Sequence, residues 1–246
     1  MRAIGTILTL VLAQAAWAGA AWDGNHCVIC HEAERLPISL GHTFEDWRGS
    51  AHARGGVGCE RCHGGDPRAR DAAAAHTGAL PAGDAGSMIH PTRLPATCGG
   101  CHPKELAAFS GTAHMRELDA KGKGATCLTC HGAMATSLPA PAYLGERCAV
   151  CHRTPVQAEA ALGVLATVKL QLRRTRMAVD AVEATDAGWH ASAVARFHDL
   201  ERSYRDIQLK WHTFKTREIL RESGDLLQLA KLLGEEAVVK GRRHTP

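Results

Sequence analysis

The stretch Trp47-Arg-Gly-Ser-Ala-His52, which runs through Gly55-Gly-Val-Gly58 into Cys59-Glu-Arg-Cys62-His63-Gly64, decides how the whole chain is read. Its end, two cysteines two residues apart with a histidine directly after, recurs four more times. The copies are Cys27-Val-Ile-Cys30-His31, Cys98-Gly-Gly-Cys101-His102, Cys127-Leu-Thr-Cys130-His131 and Cys148-Ala-Val-Cys151-His152. Together they use all 10 cysteines. This is the attachment spacing of haem c: two thiols bond to the two vinyl groups of one porphyrin, and the next residue sets an imidazole on the iron. Zinc ribbons use the cysteine pairs without a histidine after each. Redox pairs come singly, and a disulfide framework leaves five histidines unexplained. With 15 histidines in 246 residues, five such coincidences have odds on the order of one in a million by composition. The sequence therefore predicts five covalently attached haem c groups, with His31, His63, His102, His131 and His152 as proximal iron ligands.

The composition agrees. Aromatic residues are only 4% of the chain, so few large rings exist to fill a core, and porphyrins would supply those apolar bodies. Small residues beside the motifs (Gly55, Gly56, Gly58, Gly64, Gly65, Gly99, Gly100, Gly132) let backbone and macrocycle approach closely. Without haem, no fold is expected for roughly residues 23 to 155. The net charge of +4 is too small and too evenly spread for a nucleic-acid binder, and haem propionates would turn it negative. Met1-Arg2, an apolar run from Ala3 to Trp17 and the triplet Ala16-Trp17-Ala18 read as a cleaved secretory signal, 1–18. The rival reading is an uncleaved anchor. An exported, periplasmic chain is expected, where unprotected thiols would be oxidised.

Ten histidines lie outside the motifs, and an internal repeat sorts some of them. Trp47-Arg-Gly-Ser-Ala-His52 precedes one motif, and Phe109-Ser-Gly-Thr-Ala-His114 precedes another at Cys127. A histidine repeated at this position reads as a distal ligand, so His52 and His114 are assigned to the far side of an iron. His42 and His76, in the connectors, are assigned the same role; a hydrogen bond to a propionate is the plainer alternative. The haem-binding domain is placed at 19–155.

After Pro155 the cysteines stop and the period becomes helical. Ala161, Leu165, Val168, Leu172, Thr175, Val179 and Val182 form one stripe. Ala193, Phe197, Leu200, Tyr204, Ile207, Trp211 and Phe214 form another. The C-terminal domain, 156–246, is expected to be two long antiparallel helices, about 156–184 and 188–222. Gly224 would end the second, and a short helix at 225–240 would carry Leu226, Leu229, Leu233 and Ala237. The fold class is thus mainly α with much irregular loop: a multihaem array followed by a long helical hairpin.

Trp47 to His52, Gly56-Val-Gly-Cys59 through His63-Gly-Gly-Asp66-Pro67, Ala75-His76, Phe109 to His114 and the helical end resemble one group of multihaem cytochromes c. It includes hydroxylamine oxidoreductase, ammonia-forming cytochrome c nitrite reductase and the small tetrahaem cytochrome of ammonia oxidisers. The resemblance implies closely packed bis-histidine haems. It also implies a ligand role for His212 in Lys210-Trp-His212-Thr213-Phe214, where Thr213 stands in place of the group's usual Asn. The group's nitrite reductase has a Lys in one motif in place of His, and no such variant occurs here. Only two tyrosines, Tyr143 and Tyr204, are present to serve an open haem.

The expected function is electron transfer by an exported pentahaem cytochrome in an anaerobic or nitrogen/sulfur respiratory chain. Its partners would be donor and acceptor cytochromes, a quinol oxidase or a terminal reductase, with a membrane-associated partner or self-assembly compatible with this. One alternative is a reductase or oxidase of a small nitrogen or sulfur oxyanion at one open haem. Another is an electron-transfer subunit of a larger complex or filament. No catalytic residue is assigned.

Overall fold

The computed structural model describes residues 22–33, 41–132, 134 and 141–242. The expected signal segment and His244 lie outside these, as does the side chain of Tyr143. The chain is mainly helical, and no strand occurs among the described residues. No helix among them is long and apolar enough to cross a membrane. The chain divides into two compact units: Met1–Pro103 with His114–Leu138, and Lys104–Ala113 with Pro139–Pro246. The fifth motif therefore belongs to the second unit, together with the long C-terminal helices.

The first unit is built from short helices joined by turns: α1 (His26–Ala33), α2 (Phe44–Arg48), α3 (Ala51–Arg54), α4 (Glu60–His63), α5 (Ala72–Ala75) and α6 (Leu94–Gly99). Next come α7 (Pro103–Ser110), nearly all of it in the second unit, then α8 (Ala113–Lys121) and α9 (Cys127–His131). Caps explain several boundaries. Thr43 and Asp46 form a capping box on α2, the Ser50 hydroxyl accepts from the Ala53 N–H to open α3, and Asp71 opens α5 in the same way.

The second unit holds α10 (Pro141–Ala149), α11 (Val156–Asp180), α12 (Ala187–Lys210), a 3₁₀ turn at Trp211–Thr213 and α13 (Thr216–Arg242). The two predicted stripes face one core. Ala161, Leu165, Val168, Leu172, Val179, Ala193, Phe197, Leu200 and Ile207 are all buried in it.

The end of the hairpin differs from the sequence expectation. The second helix stops at Lys210, not near 222, and the last helix is 27 residues long. Chain reversal is set by Phe214, whose φ of 56° is left-handed, with the Thr213 hydroxyl donating to the Lys210 carbonyl at 2.7 Å. Lys210 then bridges to Glu218 and Glu222 across the turn. Gly224 ends nothing and lies inside α13. Its turn-forming freedom goes unused because Ser223 and Leu226 are buried on either side and packing outweighs the roughly 1 kcal/mol helix cost of a glycine.

The third helix is therefore a full partner. α11 packs chiefly on α13, and less on α12. Contact is closest at Gly234, where a Cβ would sit 3.1 Å from the Thr175 hydroxyl oxygen, and that hydroxyl donates to the Ala230 carbonyl at 2.7 Å. Ala230 takes the inward position and leaves Leu229 55% exposed. Leu165, 2% exposed in this core, gives a direct stability test. Leu165→Ala should cost about 3 kcal/mol, read as a lowered midpoint in urea unfolding followed by circular dichroism.

Candidate haem-ligand site

Each motif forms a single helical turn. The N–H of His63 donates to the Cys59 carbonyl at 2.9 Å, that of His102 to Cys98 at 2.9 Å, and that of His152 to Cys148 at 3.0 Å. Positions i, i+3 and i+4 share a helix face, so this turn puts both thiols and the imidazole on one side, as attachment to one planar ring requires. All ten thiols are unbridged.

Three of the motif histidines lie opposite a histidine from elsewhere in the first unit. Ring centroids are 6.1 Å apart for His31 and His76, 5.8 Å for His42 and His63, and 6.3 Å for His52 and His102. Two imidazoles on opposite sides of one metal, with bonds of about 2 Å and about 1.1 Å from each nitrogen to its ring centre, have centroids about 6.2 Å apart. The pairing skips along the chain. His42 faces the next motif, His52 the next but one, and His76 the motif before last. Among the described residues no three His, Cys, Asp or Glu side chains are grouped to hold a bare ion. The arrangement is one of pairs.

Hydrogen bonds fix the tautomer of several rings. The Nδ1 of His76 lies 2.7 Å from the Ala72 carbonyl, that of His42 3.0 Å from Thr43, that of His152 3.0 Å from Arg153 and that of His212 3.1 Å from Leu209. A carbonyl only accepts, so Nδ1 carries the proton in each, and Nε2 keeps the lone pair a metal needs. The Nδ1 of His90 instead lies 2.8 Å from the Thr92 hydroxyl and 3.4 Å from the Thr92 N–H. Burial, then the neighbouring His102, lowers the pKa of His52. Burial, then His42 and His31, does the same for His63. Both shifts favour the neutral form, the one that ligation requires.

The remaining candidates lie on other elements of the fold. His114 is half-buried on α8, His131 closes α9, and His212 lies in the 3₁₀ turn. His190 is set against Asp180 at 3.7 Å within the helical core of the second unit. The repeat now has a physical reading. Trp47, 5% exposed, donates from its indole to the Val57 carbonyl at 3.1 Å and steers the loop into Cys59. Its counterpart Phe109 is likewise buried and packs edge-on against Phe214. Ser50 caps the helix that carries His52, and Thr112 stands at the same place before α8.

Glycines bring His76 to His31. Gly64 and Gly65 have φ of 78° and 89°, and a Cβ on Gly65 would lie 2.5 Å from the Ala75 carbonyl. The Asp66 N–H donates to that same carbonyl at 2.9 Å, and the His26 N–H donates to Pro67 at 2.7 Å. This sequence of contacts ties α1 to the segment before His76. Gly65→Ala should displace His76 from His31; if haem is attached at the first motif, the spectrum of that haem alone should change, and an unchanged spectrum would refute that role.

The cores of the two units are unequal. Among the described residues, the buried apolar residues of the first unit are Val28, Trp47, Ala53, Leu94 and Leu118, apart from Pro95 and Gly99 within α6. The second unit, of similar described length, buries several times as many. The motif thiols also lie close together: the Cys98 thiol donates to the Cys127 sulfur, which raises the pKa of Cys98 and lowers that of Cys127. Burial, then Cys27 and Glu60, pushes the Cys59 thiol up to about 11. No protein-family model, curated protein or solved structure matches the chain.

Proposed function

We propose that the protein is an exported pentahaem c-type cytochrome that passes electrons along closely spaced, bis-histidine haems in an anaerobic or nitrogen/sulfur respiratory chain. The observation that carries this reading is the set of three opposed imidazole pairs, each joining one motif histidine to one outside the motifs at 5.8 to 6.3 Å. The residues fit the group. The thiols and the motif histidine share one helix face, the opposed ring is in the ligating tautomer where its hydrogen bond defines it, and the first unit buries few apolar side chains of its own.

Haem c supplies a one-electron Fe(III)/Fe(II) couple. The chain spaces and insulates these couples and fixes their axial ligands, which with burial set each potential. Two imidazoles on one iron leave no position for a substrate, which favours a carrier over a catalyst. The proximity of Cys98 to Cys127, and of Cys59 to Cys27, supports haems placed edge to edge, with no long gap for the electron to cross.

Low-temperature EPR of the oxidised protein tests the reading. Low-spin ferric signals for the haems of the first three motifs are expected. A high-spin signal that binds cyanide at one of those three would favour the oxyanion reductase instead.

A further inference from the structure

The second unit carries a charged feature that electron storage does not require. On α11, Lys169, Arg173 and Arg176 recur at i, i+4 and i+7 on one stripe, and no acidic residue lies between Glu159 and Asp180. With Arg205 of α12 they line a groove of about 590 Å³. Glu201 is the one acidic residue in its lining.

Arg176 is held in place by Asp180 at 2.9 Å and lies over the Phe197 ring at 5.6 Å. Lys169, Arg173 and Arg205 have no ion-pair partner among the described residues. Like charges one turn apart destabilise a helix by a few tenths of a kcal/mol. Lys169 and Arg173 are about 6 Å apart along the axis, inside a Debye length of about 8 Å at physiological salt. Such a stripe weakens the helix, so folding does not account for it.

The groove is not purely ionic. Leu172 and Tyr204 contribute apolar lining, and Met177 stands at its edge, 73% exposed. Arginine, tyrosine and methionine beside an apolar floor are the composition of a protein-binding patch. Phe197 is only 3% exposed, so it offers no face on which a nucleic-acid base could stack. A small anion would use the cations but leave Met177 in water.

We infer that this groove docks the acidic surface of a partner protein, with carboxylates meeting Lys169, Arg173 and Arg205 and an apolar side chain covering Met177. The inference stands without the haem reading, because its residues all lie on α11 and α12.

The test is fluorescence anisotropy of the full exported protein with a labelled peptide of alternating Glu and Leu. The wild type should bind it at low salt and release it as salt rises. The double variant Lys169→Glu, Arg173→Glu should bind about tenfold more weakly with a flatter salt dependence and an unchanged helical circular dichroism spectrum. Arg205→Glu, on the other helix, should show a smaller loss and serves if the double variant misfolds. Met177→Ala should weaken the peptide without changing the salt slope. Undiminished binding by the charge-reversed variants would overturn the inference. So would inorganic phosphate or oligothymidylate held by the wild type as tightly as the peptide.

Discussion

The double variant Cys59→Ala, Cys62→Ala is expected to be exported as a chain with no stably folded first unit and no haem at the second motif. The reason lies in how little else holds that unit. Helices α2 to α5 are only four or five residues long, and isolated helices shorter than about 12 residues are marginal in water. Ordering a residue costs about 1–2 kcal/mol of backbone entropy. A cluster of Val28, Trp47 and Ala53, joined by Trp22, Phe44 and Met134, cannot offset that over the unit. Cys59 is itself packed against this cluster, so the second attachment site sits where the small core does. The measurement is limited proteolysis with haem staining. The α11–α13 core, with its own apolar interior, should outlast the first unit. A variant as protease-resistant as the wild type would show that the polypeptide folds without the group.

His52→Met should shift one potential upward, and the haem affected is the informative part. His52 lies 11 residues before His63 in the chain, yet its ring faces His102 at 6.3 Å. The third-motif haem should therefore change, not the second. Axial ligation spans roughly 0.8 V of haem potential, and a thioether in place of one imidazole should move that haem by a readable part of this range. Potentiometry with magnetic circular dichroism separates the sites. A shift confined to the haem of Cys59 and Cys62 would break the assignment of pairs.

The local form of each motif was legible in the sequence because it depends on spacing alone. Cys-x-x-Cys-His is one helical turn, and a turn can be read from five residues. His42, His52 and His76 could be named because a repeat and two connectors singled them out, and each now lies opposite a motif histidine. Which motif each one faces was not legible. The approach of His76 to His31 depends on Gly65 admitting the Ala75 backbone and Gly64 that of Gly78, contacts between segments that no periodicity encodes.

The helical end divides in the same way. The stripes of α11 and α12 appear in the sequence because burial repeats with the helix. The turn at Phe214 does not, since a left-handed phenylalanine carries no sequence signal. Gly224, by contrast, carries a strong terminator signal that packing overrides. Leu229 followed from the 3.6-residue period, but the small Ala230 faces inward because α11 comes too close at Thr175 for a larger side chain.

Five porphyrins, bonded through ten thiols, are expected to supply the apolar interior that the short helices around the motifs do not. Intact mass spectrometry of the exported protein under denaturing, reducing conditions tests this expectation most directly. The expected mass is that of the processed polypeptide plus five haems, retained after acid–acetone extraction. A mass equal to the bare chain would contradict it.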